Sequence, residues 1–389
     1  MFANFKVLYA IALALSFATS NAAAVPGFQK RENGAIKLDF NIERPDKLIL
    51  NGNFTKRADD YNYALINEGS YYVAEILVGS NQQAVKVDVD TGSSDLWVVD
   101  TSSGISGTYG VYDHTTSSTF SRIASGFAVA YADQSHAEGD WVSDTIQLGG
   151  TGGPSLKNQE FGDATTSTIN FGILGIGFPI NEATADKYQN VPQSLVSQGY
   201  IHKNAYSLYL DSSDAAQGSV LFGGIDHAKY SGSLVSNPVV SQNDLDLNVN
   251  SVTTNGQTID IGSNYVLDSG TTINYLDPTV LANLASALGA KYSSSGFYYF
   301  DSASDAKDIS VNFDGVSVTI PASYTVGAFY DGDGNALTET GFLFLPQTNY
   351  HILGDVFLRN AYVVYDLDAR TISLAQAKFT SDENITVIS

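Results

Sequence analysis

The chain has 389 residues, no cysteine and a single methionine, Met1, so disulfides, thiolate metal sites and a cysteine nucleophile are excluded on composition alone. Lys and Arg number 19 against 41 Asp and Glu, a net charge of −22. Nucleic acid and anionic membranes are recognised through clustered cations, so neither is an expected partner.

The chain opens with one cation, Lys6, followed by an apolar run of 11 residues from Val7 to Phe17 and then by small residues around Ala22-Ala23-Ala24. That is the pattern of a secretory signal peptide, placed over 1–21. The run is short for a membrane span of about 20 residues. The polar end from Phe379 to Ser389 lacks the apolar tail of a lipid-anchor signal. An extracellular, secreted protein is therefore expected. Residues 22–57 read as a pro-segment ending at the dibasic pair Lys56-Arg57; Lys30-Arg31 is a second such pair. The first 57 residues hold 8 basic and 4 acidic side chains, and the remaining 332 hold 11 and 37. This reversal predicts a pro-segment held to an acidic body by charge.

Strand signals dominate the body. Ala84 to Asp90 alternates strictly, with Val85, Val87 and Val89 on one face. Gly149 to Gly153 reads as a hairpin tip, and Pro192 to Gly199 as a short helix. Asn255-Gly256 and Asp314-Gly315 sit between β-prone runs as hairpin turns. Asp277-Pro278 caps a helix carrying Leu281, Leu284 and Leu288, and Gly289 stops it. The class is mainly β. The five histidines (His114, His136, His202, His227, His351) have no metal-ligand spacing, and Asp331-Gly332-Asp333-Gly334-Asn335 lacks the later ligands of a calcium loop. No metal or cofactor is expected. Asn384-Ile385-Thr386 is a glycosylation acceptor, and Asn53-Phe54-Thr55 a second one that leaves with the pro-segment.

The most informative feature is an internal repeat. Asp90-Thr91-Gly92-Ser93-Ser94 recurs 178 positions later as Asp268-Ser269-Gly270-Thr271-Thr272. Ile173-Leu174-Gly175 recurs 179 positions later as Ile352-Leu353-Gly354. Two motif pairs in one order, at nearly one offset, imply two homologous lobes. Each first motif ends a strand on an Asp, then supplies a hydroxyl, a turn-forming Gly and a second hydroxyl. Two such turns facing each other across a pseudo-twofold axis bring two carboxyls together. Like charges that close share one proton, and their titrations belong to the pair. Ser93 and Thr271 can fix the outer oxygens. The ionised carboxyl can activate a water while the protonated one polarises a carbonyl, which is hydrolysis by general acid–base chemistry.

On these motifs the sequence resembles the pepsin-type aspartic endopeptidases, closest to secreted fungal and yeast (candidapepsin-like) forms. Asp90 to Trp97, Gly172 to Gly175, Leu221 to Asp226, Asp268 to Thr272 and Ile352 to Arg359 all match, and the resemblance spans 58–389. It implies a bilobal β fold, with an N-terminal lobe over 58–235 holding Asp90 and the flap, and a C-terminal lobe over 236–389 holding Asp268. It implies that Asp90 and Asp268 are the catalytic pair, supported by Thr91, Gly92, Ser93, Ser269, Gly270 and Thr271. Tyr131 matches the tyrosine of a β-hairpin flap, with Trp97 as its hydrogen-bond partner. The implied protein is a monomer that takes protein and peptide substrates, binds pepstatin-like inhibitors and is inhibited by its own pro-segment. A catalytically inactive peptide-binding or inhibitor protein is the alternative. Two features depart from the family: Ala132 and Asp133 stand where glycines usually follow the flap tyrosine, and no cysteine is present.

Two further expectations come from position. Asp88 lies two residues before Asp90, hence on the same strand face. With Asp133 it is expected to form a substrate-binding pocket that tolerates a basic side chain on the amino side of the cut. A pro-segment cation, Lys37 or Arg44, is expected to sit between Asp90 and Asp268 at neutral pH. The body's net charge of −26 points to an acidic working range, because protonation there relieves self-repulsion.

Overall fold

The computed structural model describes residues 29–31, 34–44, 48–49, 70–105, 107–132, 135–294, 296–330 and 335–389. The signal peptide, Lys56-Arg57, Asn53, Asp133 and the calcium-like run 331–334 lie outside the described residues.

Strands dominate, in a sheet of 14 strands, a second of seven, a third of five and a two-stranded pair, with short helices between. The helix expected from the leucine spacing runs Pro278–Leu288, with Asp277 Oδ1 accepting from the Thr279 and Val280 amides and Gly289 closing it in the left-handed region. Leu281, Leu284 and Leu288 are its buried stripe. The shorter helix runs Val191–Ser197, capped by Asn190. Asn255 and Gly256, both at positive φ, join the antiparallel strands Asp246–Thr254 and Gln257–Leu267, as a two-residue hairpin loop requires.

The repeat in sequence is a repeat in topology. Gln83–Asp90 pairs in parallel with Gly172–Gly175, which pairs antiparallel with Leu96–Val99. In the second half, Gln257–Leu267 pairs in parallel with Ile352–Leu353, which pairs antiparallel with Asn274–Leu276. Val89 faces Leu174 and Leu267 faces Leu353 in the same register. Each Ile-Leu-Gly is thus the strand that wedges in beside a catalytic-type turn, which explains why the two motif pairs travel together.

The chain ends form the seam. Ala361–Asp366 and Thr371–Ala377 cross from the second half into the 14-stranded sheet, where Ala361–Asp366 pairs with Ala205–Tyr209. The strand Ala35–Glu43 also inserts there, between Gln217–Phe222 and Tyr71–Val78. Ile36, Leu38, Phe40 and Ile42 are buried, while Lys37, Asp39, Asn41 and Glu43 are half-buried. This segment is held by ladder hydrogen bonds and an apolar face, and by an ion pair of Lys37 with Glu383. Alternation puts Lys37 on the face opposite Ile36 and Leu38, and Arg44 lies just past the end of the strand. Lys37 Nζ bonds Asp39 (2.7 Å) and Glu383 (3.2 Å), and Arg44 Nη2 donates to the Ala215 carbonyl at 2.5 Å. Neither lies between Asp90 and Asp268, contrary to the sequence-based expectation.

Candidate active site

The two Asp-containing turns meet at the base of a cleft of ≈ 450 Å³ lined by Asp90, Asp268, Asp88, Tyr131, Ile173 and Ile352. The turns are interlocked by four hydrogen bonds. The Thr91 hydroxyl donates to the Leu267 carbonyl (2.8 Å) and accepts from the Ser269 amide (2.9 Å). The Ser269 hydroxyl donates to the Val89 carbonyl (2.8 Å) and accepts from the Thr91 amide (3.1 Å). Each hydroxyl reaches across to the backbone of the other half. All of these groups are buried, so each bond is expensive to leave unmade.

Within each turn the carboxyl is held on both oxygens. The Gly92 amide donates to Asp90 Oδ1 (2.7 Å), and the Ser93 hydroxyl donates to Asp90 Oδ2. The Gly270 amide donates to Asp268 Oδ1 (2.8 Å), and the Thr271 hydroxyl to Asp268 Oδ2 (2.6 Å). The glycines also set the spacing between the halves. A Cβ on Gly92 would collide with the Asp268 carboxyl, and one on Gly270 would stand 2.7 Å from Asp90 Oδ1. Only glycine lets each turn approach the opposite carboxyl so closely.

The two carboxyls lie close enough for each to shift the other's proton affinity. Burial, followed by the charge of Asp90, pushes Asp268 up to about 8. Burial also raises Asp90, against the opposing hydrogen bonds from Ser93 and Asp268. The pair therefore retains a proton across the acidic range.

Tyr131 lies at the end of the hairpin formed by Ser121–Ala130 and His136–Leu148, its amide bonded to the Ser135 carbonyl (2.9 Å). Trp97 Nε1 donates to the Tyr131 hydroxyl at 2.8 Å. Trp97 is fully buried, with Phe127 beside it. This links the hairpin tip to the strand that leaves the Asp90 turn.

Asp88 lines the cleft on the face of Asp90 and is 4% exposed. Its Oδ1 accepts from the Tyr72 amide at 2.6 Å, and burial holds its carboxyl well above the usual range. A second buried carboxyl, with no role assigned from the sequence, lies near the Tyr72 side chain. Asp355, directly after the second Ile-Leu-Gly, is buried with Arg359 Nη2 at 3.9 Å, and the Arg359 guanidinium lies 5.5 Å from the Tyr72 ring centre. Burial pushes Asp355 well above the carboxylate range too. The signal that could have flagged it is the contrast between Leu174-Gly175-Ile176 and Leu353-Gly354-Asp355, a carboxyl where the repeat has an apolar residue. Asn384 is exposed, and the segment after it, Ile385–Val387, pairs with Gly224–Asp226.

Comparison with known proteins agrees with this geometry. A family model described as eukaryotic aspartyl protease matches residues 71–377. Candidapepsin of Candida tropicalis is 39% identical over 391 residues, covering 97% of each chain. Secreted aspartic protease 8 of Candida albicans is 39% identical over 405 residues, again 97% of each chain. Candidapepsin-3 of Candida albicans (strain WO-1) is 39% identical over 399 residues, 99% of each. The crystal structure of an aspartic proteinase from Irpex lacteus superposes with a TM-score of 0.68 at 23% identity, covering 80% of this chain and 95% of that one, which supports the fold.

Proposed function

This chain belongs to the eukaryotic aspartyl protease family, and we propose that Asp90 and Asp268 carry out its peptide hydrolysis. The protein is a secreted aspartic endopeptidase that acts on protein substrates. The inactive-homologue alternative is not supported: both carboxyls, both supporting hydroxyls and both turn glycines are in place.

In the proposed reaction, a water bound between the two carboxyls is the nucleophile. The ionised carboxyl accepts a water proton as the oxygen attacks the scissile carbonyl carbon. The protonated carboxyl donates to the carbonyl oxygen. Proton return to the amine nitrogen then lets the C–N bond break. No covalent intermediate forms. The inner oxygens are held by the glycine amides and the outer ones by Ser93 and Thr271, which orients both carboxyls toward the water. Tyr131 closes over the substrate, oriented by Trp97.

The observation that carries this reading is the reciprocal lock of Thr91 and Ser269, which holds the two carboxyl-bearing turns against each other inside a cleft. We further assign residues 1–21 to the signal peptide, 22–57 to an inhibitory pro-segment, Lys56-Arg57 to processing, and 58–235 and 236–389 to the two lobes of a monomer. Asp88 and Asp133 are assigned to a pocket that admits a basic side chain; in support, Asp88 lines the cleft. The test is digestion of denatured casein at acidic pH with and without pepstatin. Proteolysis abolished by pepstatin and by Asp90→Asn supports the assignment. Undiminished proteolysis by Asp90→Asn overturns it.

A further inference from the structure

We propose that Asp100, His114 and Asp163 form a binding site for a divalent cation of the zinc class, on the amino-terminal half and away from the catalytic cleft. Positions 100, 114 and 163 follow no motif spacing. The fold brings them together. Asp100 follows the strand Leu96–Val99, and Asp163 lies on the neighbouring strand Ser155–Ser167, where it pairs with Val98. His114 starts the short turn His114–Thr116, and a bridge between Asp100 and Tyr112 keeps that segment beside the sheet.

One ligand atom from each residue lies within 4.8 Å of the others. His114 Nδ1 is 3.0 Å from Asp100 Oδ2 and 3.2 Å from Asp163 Oδ2. Ligands about 2.0–2.1 Å from a tetrahedral zinc ion are about 3.3 Å apart. The spacings around the imidazole need only a slight expansion to meet that geometry.

The present partners do not satisfy the cluster. Asp100 and Asp163 are 1% and 3% exposed. Nδ1 carries at most one hydrogen, so it can serve only one of the two carboxylates fully. Asp163 Oδ1 is buried with no hydrogen-bond partner. Two buried carboxylates drawing on one imidazole hydrogen, with one oxygen left unpartnered, are costly. A dication resolves this by taking an oxygen from each carboxyl and Nδ1 from the imidazole, with Asp163 Oδ1 or a water completing the shell.

The ligands are also oriented. The Ser102 amide donates to Asp100 Oδ1 at 2.7 Å, which leaves Oδ2 for the cluster. Phe120 stacks on the His114 ring at 4.8 Å. The His114 side chain is 36% exposed, which gives an ion a route in. Two carboxylate oxygens with one imidazole nitrogen form a zinc-type donor set. The bound ion would clamp the chain between 100 and 114 to the sheet, a cross-link in a protein without cysteine. Trp97, the partner of Tyr131, lies three residues before the first ligand.

The test is calorimetric titration of the chelator-treated, intact chain with Zn²⁺, near the ordinary imidazole pKa of about 6.5. One ion should bind per chain and raise the thermal midpoint. Co²⁺ in its place should give the intense visible bands of a tetrahedral site. His114→Asn should weaken binding by more than the roughly 10–100-fold that losing an outer-shell partner costs. Asp163→Asn should do the same, with casein hydrolysis at acidic pH reporting that each variant is folded. No binding to the unsubstituted chain, or equal binding by both variants, overturns the proposal.

Discussion

The two halves of the site are nearly the same at the turns and different just beyond them. Asp90 and Asp268 have matching amide and hydroxyl donors, and Thr91 and Ser269 make matching bonds across the interface. Two residues before each Asp, the first half has Asp88 and the second has Val266. After each Leu-Gly, the first has Ile176 and the second Asp355. Trp97 in the first half, bonded to the flap tyrosine, corresponds to Tyr275 in the second. The symmetric part is what the shared-proton chemistry requires. The asymmetric part adds one buried carboxyl to each half, Asp88 to the first and Asp355 to the second, and a hairpin tyrosine bonded to Trp97 to the first.

The sharpest way to break the symmetry is at the carboxyls. Asp90→Asn and Asp268→Asn should each lower kcat by about 10⁴, the upper range for a general acid–base group, since neither oxygen pair can do both jobs. A large difference between the two variants in casein hydrolysis would show that the halves are not equivalent in the chemistry. Next is the lock. Thr91→Val and Ser269→Ala each leave buried backbone groups without a partner, which costs about 1–3 kcal/mol per group. Thermal midpoints should fall by similar amounts for the two, and unequal falls would place the asymmetry inside the turns themselves.

The pH response tests the buried carboxyls of both halves together. A carboxyl whose folded pKa is raised binds its proton more tightly folded than unfolded. Its contribution is complete below the ordinary value of about 4, and it is lost as pH rises through the folded value. For Asp268 that value is about 8, for Glu182 also about 8, and for Asp163 about 7. Asp88 and Asp355 shift in the same direction through burial. Thermal stability should therefore fall steadily from pH 4 to pH 8, with inactivation near or above neutrality. Equal midpoints at both ends would contradict these shifts.

Much of this was legible in sequence because the chemistry lies in contiguous residues. Asp-Thr-Gly-Ser and Asp-Ser-Gly-Thr carry carboxyl, lock, close-approach glycine and oxygen clamp within four positions each, and their repetition identified the pair. The helix at Pro278–Leu288 was equally readable, since its cap, leucine stripe and stop are local. What failed depended on distant pairing. Ala35–Glu43 lies in the expected pro-segment, yet it pairs with Gln217–Phe222 and Tyr71–Val78; Lys37 bonds Asp39 and Glu383, and Arg44, just past the strand, bonds the Ala215 carbonyl. The Asp100–His114–Asp163 cluster was invisible for the same reason. Asp355 was in view as part of a motif, but nothing local revealed that it is buried beside Arg359.

The smallest expected effect is also the most specific to the asymmetry. Asp88→Val copies the second half, where Val266 holds the corresponding place. Asp88 is desolvated and its carboxyl favours the neutral form, so at strongly acidic pH it is a polar wall rather than an anion. A lysine side chain entering the pocket must draw the proton off before an ion pair forms, a trade that becomes easier as pH rises. The Lys-to-Phe ratio of kcat/KM should therefore increase with pH in the unsubstituted enzyme. In Asp88→Val that rise should vanish and the ratio should fall about tenfold, equivalent to about 1.4 kcal/mol. Matched peptides differing only in the residue before the cut, assayed across the acidic range, measure both. A ratio that stays flat with pH, and is the same in the variant, would leave Asp88 as scaffold for the Tyr72 amide and assign the pocket's selectivity to other residues.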